Sequence, residues 1–392
     1  MNHEAPHRDC VAEVFAAFLG EICIHTLLAP DRPLKWTIIA NLQAGGFIIP
    51  ARWKRHQGQL ARSVEKAHRN PRRVNAFPSS ITQAMEEGKG SLGKRGLIPT
   101  EGPGHAGRVT RSLIAAVQGE IPVSSGQQAP LYLIITAGGD GTSREVLTAL
   151  YALPLQFRSY FVVLRLPMGT GNDGADAWEL DKALDLLLYP SRIEMAGALR
   201  LTTATGKGPF YAFNILSLGL DAFVTHMTNK MKRFFPGDSY KLWVDIASLL
   251  YDRLYRVGPM EIRASDEAGN TFIIVRECIL LLAMGVSGRR TYGSHKWILP
   301  DDRNVCAVKQ MSLFRKLRLK GLFTTGKHID KPEAILFTAH RVAVQGSYPL
   351  LAQMDGETVL LQPEDFPGCI ERTEAAIPVL KGLSGLQPAH KG

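Results

Sequence analysis

Long apolar runs, paired cysteines and interleaved aromatics are all scarce in this 392-residue chain. Its five cysteines, at 10, 23, 278, 306 and 369, are odd in number and scattered, with no CxxC pair. That pattern points to a reducing compartment and argues against a disulfide framework or a zinc knuckle. The apolar stretch at 11–29 is interrupted by Glu13, Gly20, Glu21 and His25. Charges there are costly in a bilayer, so it reads as an amphipathic or packed helix rather than an anchor. No secretory leader is visible, since residues 1–10 carry little positive charge. Residues 51–111 hold 13 Lys or Arg against 4 Glu, without aromatic interleaving. The lack of stacking platforms sets nucleic acid aside. The basic field that remains attracts ATP or anionic lipid as readily.

Glycine at the ends of apolar runs is what the chain does have. The strand-like run 131–135 leads into Gly138-Gly139-Asp140-Gly141-Thr142-Ser143-Arg144-Glu145, and a helical pattern follows. A second run, 161–166, ends in Pro167-Met168-Gly169-Thr170-Gly171-Asn172-Asp173. A first strand candidate, 35–40, precedes Asn41-Leu42-Gln43-Ala44-Gly45-Gly46. Glycines let backbone approach a ligand closely, and amides at a helix start can meet a phosphate. Any one of these strings alone would be an ordinary turn. Residues 88–95 spell G-x-x-x-x-G-K-R, but Arg95 stands where a P-loop hydroxyl would hold Mg²⁺ and no strand leads in. We treat that as a chance match.

The order of elements gives the organisation. Residues 1–33 form an N-terminal extension that ends in a hinge at 30–33. Residues 34–197 alternate strand and helix, as in an α/β domain with a parallel sheet, and carry a surface insertion at about 70–96. Across 198–375 short β-like segments recur, which a β-sandwich would bury. A tail at 376–392 has the option of returning to the first domain.

Asp140 sits between glycines, where packing has little use for a carboxylate. Near a triphosphate it would hold Mg²⁺ or orient an attacking hydroxyl; otherwise it caps a helix. Thr142, Thr170, Asn172 and Asp173 add donors and a second acid. Thr100 precedes a helix and could offer its hydroxyl to a phosphate, while His105 is as plausibly a cap. Asp355-Gly356 alone is a common hairpin turn. With Glu357 beside it, the pair could also serve as a base or a metal site. Residues 311–320, MSLFRKLRLK, mix four basic residues with Leu and Phe. They suit an anionic bilayer or a packed surface helix equally well.

Taken in order, these motifs resemble the diacylglycerol kinase catalytic-domain family, in particular bacterial lipid kinases and their sphingosine and ceramide kinase relatives, in the NAD kinase-like superfamily. Gly138 to Thr142 with Glu145 matches GGDGTxxE, Pro167 to Asp173 matches PxGTxND, and Asn41 to Gly46 matches NPxxGG with Leu42 for proline. Asn214, Gly219 and Asp221 match FxNxxxxGxD, and Asp355-Gly356-Glu357 completes the order. The resemblance covers roughly 35–375. It implies an α/β nucleotide-binding domain, then an antiparallel β-sandwich, with the active site in the interdomain cleft. It also implies transfer of the γ-phosphoryl of ATP to a lipid hydroxyl with Mg²⁺.

By the same resemblance Asn41, Gly45, Thr100, Gly138, Gly139, Gly141, Thr142, Glu145, Thr170 and Asn172 surround ATP. Asp140 places magnesium and the acceptor hydroxyl, with Asp173 as a further metal carboxylate. Glu357 is the proton acceptor and Asp355 its catalytic neighbour. Two departures stand out. Gly174-Ala175-Asp176 replaces the family's aromatic-Ala-Arg. Residues 300–304 lack the Asp-Gly of a structural magnesium site, leaving Asp302 as its weak candidate ligand. The implied partner is a lipid presented at a membrane surface, with anionic phospholipid contact from a cytoplasmic location at the inner membrane. Oligomeric state is open, a homodimer included. Rival readings are a NAD kinase-like kinase of a soluble acceptor and a nucleotide-binding regulator without catalysis.

Overall fold

The computed structural model describes residues 5–79, 95–120, 129–231, 251, 257–293 and 296–383. The near P-loop string at 88–94, most of the proposed insertion and the tail beyond 383 lie outside them. The chain divides into two compact units, residues 1–196 with 375–392, and residues 197–374.

The first unit opens with helix α1 (Ala5–Ile24). Val11, Ala12, Phe15, Ala16, Leu19, Ile22 and Cys23 recur at helical spacing and are buried, so this is a packed helix. Phe15 meets Phe47 edge-on with centroids 5.0 Å apart. Burial pushes the Cys23 thiol well up, and all five cysteines are free. No helix among the described residues is long and apolar enough to cross a membrane.

Strands β1 (Leu34–Ala40), β2 (Ala76–Pro78), β3 (Leu97–Pro99), β4 (Leu131–Gly138) and β5 (Phe161–Pro167) run parallel. β4 is buried along its whole length, as expected of a parallel strand covered on both faces. β1 and β4 pair from Leu34↔Leu131 to Ala40↔Ala137, and β4 and β5 from Tyr132↔Phe161 to Gly138↔Pro167. The chain therefore leaves all three strands at one sheet edge, where open α/β sheets bind ligands. Three-residue β2 and β3 lie at the ends of the region read as an insertion; strands that short show no period. Helices α2 (Gly45–Ile48), α3 (Pro50–Ala67), α4 (His105–Glu120), α5 (Asp140–Tyr151), α6 (Leu155–Arg158) and α7 (Leu180–Leu188) connect the strands. β6 (Ser191–Ala196) pairs antiparallel with the C-terminal strand Ile377–Gly382, which joins β5 in parallel at Val379↔Val163.

The second unit is antiparallel. Its strands are β7 (Leu199–Thr202), β8 (Phe210–Ala212), β9 (Ile215–Gly219), β10 (Pro259–Ser265), β11 (Thr271–Gly285), β12 (Arg290–Tyr292) and β13 (Lys296–Leu299). β14 (Val305–Lys309), β15 (Ala334–Phe337), β16 (Arg341–Gln345), β17 (Leu350–Met354), β18 (Glu357–Leu361) and β19 (Gly368–Arg372) complete it. Helices α8 (Leu220–Met231) and α9 (Leu313–Thr325) interrupt the run. Eleven strands form one curled sheet, and β12 pairs with β13. The sequence suggests separate segments at 271–276 and 278–285, yet β11 runs through both. Its first half pairs with β10 and its second with β9 and β14, so one strand turns from one face of the core to the other. Leu218, Ile262, Leu282, Val305, Val344 and Ile370 are among the residues filling that core.

Candidate active site

Three glycine loops converge at the C-terminal edge of the parallel sheet. Gly46 N donates to Met168 O at 2.8 Å, and a Cβ on Gly46 would stand 2.7 Å from that oxygen. A Cβ on Gly169 would stand 2.5 Å from Gly139 Cα. Glycine at these positions is thus demanded by close approach of loop to loop. Asn172, at φ 58, fastens the third loop: its Oδ1 accepts from Gly169 N at 2.7 Å and its Nδ2 donates to Pro167 O and Gly169 O. Asn41 closes the first loop by accepting from Gln43 N at 3.0 Å. Thr100 is placed by donating its N–H to Ala40 O at 2.7 Å.

Asp140 begins α5. Its Oδ1 accepts from Gly174 N at 2.9 Å, and its Oδ2 lies 3.2 Å from where a Cβ on Gly171 would be. Asp173 Oδ2 lies 3.4 Å from the same point. Both carboxylates thus lie close beside Gly171, where an added Cβ would make a tight contact with Asp140. Gly138 is more tightly constrained, because a Cβ there would lie 2.6 Å from Thr142 Oγ1. Glu145, one turn further along α5, accepts from Gly104 N at 2.6 Å and Gly107 N at 3.2 Å. It therefore caps α4, and a carboxylate suits the positive end of that helix. His105 Nδ1 accepts from Glu101 N at 3.0 Å, a local cap.

Arg52 was not among the residues singled out from sequence. From α3 its Nη1 reaches within 3.0 Å of the Gly45 Cβ position, beside Thr170 Oγ1 at 3.4 Å. A guanidinium and a hydroxyl thus share the space next to Gly45. The signal lay in plain view as a basic residue two positions into the helix after the first loop. The departure at 174–176 also has a structural form. Asp176, 1% exposed, meets Arg165 (11% exposed) of β5 at 2.6 Å, and the Arg165 backbone N–H at 2.7 Å. The acid that this loop carries is thus neutralised by a cation of β5.

In the second unit Asp355 and Gly356, both at positive φ, form the β17–β18 hairpin turn. The buried Asp355 carboxylate accepts from the backbone N–H groups of Phe213, Asn214 at 3.1 Å and Ile215 at 3.0 Å. Those contacts anchor the turn to the β8–β9 connection and leave Glu357 exposed at its end. Gln353 tightens it further, accepting from Gly356 N at 3.1 Å and donating to Ser217 Oγ at 2.9 Å. Asp302, the weak metal candidate, is paired with Arg289 at 2.7 Å, and Asp301 is paired with Arg303. These guanidinium partners hold both carboxyls below their usual range. A cation at Asp302 would compete with Arg289 for that carboxylate.

The donor set of the first unit suits magnesium and a nucleotide. Mg²⁺ characteristically takes one or two carboxylates and completes its shell with water and substrate phosphates. Asp140 and Asp173 offer such a pair, at the mouth of glycine loops that end on the α5 N-terminus.

Residues 80–196 match the model of the diacylglycerol kinase catalytic domain. A diacylglycerol kinase of Bacillus subtilis (strain 168) is 26% identical over 253 residues, covering 63% of this chain and 78% of that protein. The "Probable lipid kinase YegS-like" of Yersinia enterocolitica is 35% identical over 108 residues, 27% of this chain and 35% of that protein. The chain thus spans about a third of the length of that Yersinia relative. Two solved structures of a candidate diacylglycerol kinase from Bacillus anthracis str. Sterne superpose with TM-scores of 0.54 and 0.53. Both are 15% identical over 89% of this chain, covering 95% and 97% of theirs, so the likeness is one of fold. The catalytic-domain match takes in the second and third glycine motifs, so residues 80–196 are similar to the diacylglycerol kinase catalytic domain, and parts of the chain are similar to bacterial lipid kinases.

Proposed function

We propose that this chain is an ATP-dependent lipid kinase that transfers the γ-phosphoryl group to the hydroxyl of diacylglycerol or a related glycerolipid or sphingoid lipid. The observation that carries this reading is the pair of carboxylates, Asp140 and Asp173, close beside Gly171 where three glycine loops meet. Two named relatives, a diacylglycerol kinase and a YegS-like lipid kinase, support the lipid acceptor.

Phosphoryl transfer needs positioning and charge neutralisation more than covalent help. Mg²⁺, when bound, supplies charge neutralisation on the phosphate oxygens, and Asp140 with Asp173 would hold it. Arg52 and Thr170 offer donors to phosphate oxygens beside Gly45. Asn41, Asn172, Thr100 and Glu145 keep the surrounding loops and helix ends in shape. The acceptor oxygen forms the new P–O bond as the bond from the γ-phosphorus to the bridging oxygen of ADP breaks. Glu357 takes the proton from that hydroxyl. Asp355 is better suited to positioning than to proton transfer, because backbone N–H groups occupy its carboxylate. No role as a metal ligand is assigned to Asp302.

For contact with the lipid surface we assign α9. It exposes Leu313 and Phe314 (83% exposed) alongside Arg315 and Arg318, while Leu319 packs inward. Apolar tips among cations suit an anionic bilayer. With that assignment goes a location at the cytoplasmic face of a membrane, through transient contact, as part of the same proposal.

The test is transfer of label from γ-labelled ATP with Mg²⁺ into mixed micelles of candidate lipids, beside a soluble panel containing NAD. A labelled lipid product that falls by on the order of 10²–10³-fold in Asp140→Asn and Glu357→Gln supports the reading. Label in NADP⁺ moves the chain to a soluble acceptor. ATP binding without transfer to either panel favours a regulatory role. Loss of binding to anionic vesicles in Phe314→Asp, with transfer to a short-chain acceptor kept, tests α9 separately.

A further inference from the structure

Helix α1 has no place in the motifs above, yet it carries a cluster of its own. Glu21, in the last turn of α1, and His25, the residue just past its end, stand four residues apart and meet on one side. His68, the residue that closes α3, meets them there. Its Nε2 lies 2.9 Å from Glu21 Oε1, and His25 Nε2 lies 3.6 Å from the same oxygen. The two rings stand edge to face with centroids 5.2 Å apart. One ligand atom from each residue falls within 4.8 Å of the other two. Ligand atoms at about 2.0–2.2 Å from a tetrahedral ion stand roughly 3.3–3.6 Å apart, so small side-chain adjustments would close the site.

The support behind the cluster is also in place. His25 Nδ1 lies 2.9 Å from Asn70 O. A carbonyl only accepts, so Nδ1 carries the proton and Nε2, turned to Glu21, is the atom able to bind a metal. The Asn70 side chain donates to His25 O at 3.2 Å and Leu188 O at 2.9 Å, which fixes that carbonyl's segment to α1 and to the end of α7. Carbonyl-supported imidazole is the usual outer shell of a metal-binding histidine. The side chain of His25 is 11% exposed and that of His68 55%, so the cluster opens to solvent on one side.

The geometry points to a divalent transition-metal site, with Zn²⁺ first by its donor set, formed by Glu21, His25 and His68 with water completing the shell. The ion fastens α1 to the end of α3 within the first unit. Two imidazoles and a carboxylate suit Zn²⁺, whereas Mg²⁺ prefers an all-oxygen octahedron. The site is therefore independent of any magnesium used with ATP.

The full chain, stripped with EDTA and desalted, is titrated with Zn²⁺ against a chromophoric chelator in excess Mg²⁺. One equivalent is expected to bind, and to raise the unfolding temperature. The double variant E21Q/H68Q changes two solvent-accessible side chains and is expected to lose both effects. Asn70→Ala, acting through His25, weakens binding by roughly 10–100-fold. Co²⁺ in place of Zn²⁺ gives visible d–d bands that the double variant lacks. Failure to bind a stoichiometric equivalent, or equal binding by E21Q/H68Q, overturns the site and leaves an ion-paired cluster.

Discussion

In the first unit the candidate carboxylates stand on glycine loops that press against one another, whereas in the second the buried carboxylate is itself the anchor. Asp140 and Asp173 owe their places to Gly169, Gly171 and Asn172, and to strands that leave the sheet at the same edge. Asp355 instead gathers three backbone N–H groups and so holds the turn from which Glu357 emerges. The difference follows from topology. A parallel sheet delivers several loops to one edge, so they can brace each other. A two-residue hairpin has no neighbour of that kind, and one of its own residues must do the bracing.

The comparison can be broken most sharply at Asp176. If the first unit's loop rests on the buried Arg165–Asp176 pair, Asp176→Ala removes the carboxylate from a buried guanidinium and costs about 3–5 kcal/mol in denaturant unfolding. Replacing both partners by Leu should recover most of that loss. A cost under about 1 kcal/mol would mean that the pair behaves as a surface contact and that the glycine loops suffice.

Asp355→Ala is the matching experiment in the second unit. Unpairing buried backbone donors is expected to cost about 2–4 kcal/mol and to lower kcat as far as Glu357→Gln does. An unchanged kcat would separate the turn from the chemistry. A smaller effect is expected for Glu145→Gln, about 1 kcal/mol, because the helix end keeps a hydrogen-bond acceptor and loses only charge. Faster amide exchange at Gly104 and Gly107, with α5 unchanged, would confine that effect to α4.

The smallest effect is one of pH, and it touches both units. His56 and His328 are buried, and burial holds both below the ordinary value of 6.5. For His56 a hydrogen bond with Gln59 offsets this in part, while Arg55 and Arg52 reinforce it. For His328 the Ile298 carbonyl, Asp301 and Asp330 offset it. A depressed folded value means that the unfolded chain takes up the proton first. Their neutral forms' contribution is therefore complete above pH 6.5 and declines as pH falls through that value. Denaturation midpoints measured between about pH 8 and about pH 5 should decline, with a shallower slope in His328→Gln.

The parallel strands were legible because strands buried on both faces are continuous apolar runs, as 131–135 and 161–166 are. The strand at 377–382 was not, since its partners Val163 and residues 191–196 lie far away along the chain. Strand β19 is likewise fixed by its partners β7 and β16, which lie elsewhere along the chain. Residues 311–320 contain the first turns of a helix, but which side chains turn outward is set by what Leu319 and Leu322 pack against.

The chain's residues by themselves determined the glycine loops, the acids within them and the order of an α/β unit before an antiparallel one. These are local matters of backbone freedom and hydrophobic period. Only the tertiary structure decided that Asp355 anchors while Glu357 is exposed, that Arg52 joins Thr170, and that Arg165 answers Asp176. It also brought His68 to Glu21 and His25. Each of those pairings joins segments whose meeting depends on how helices and strands pack, and no short stretch of sequence carries that distance.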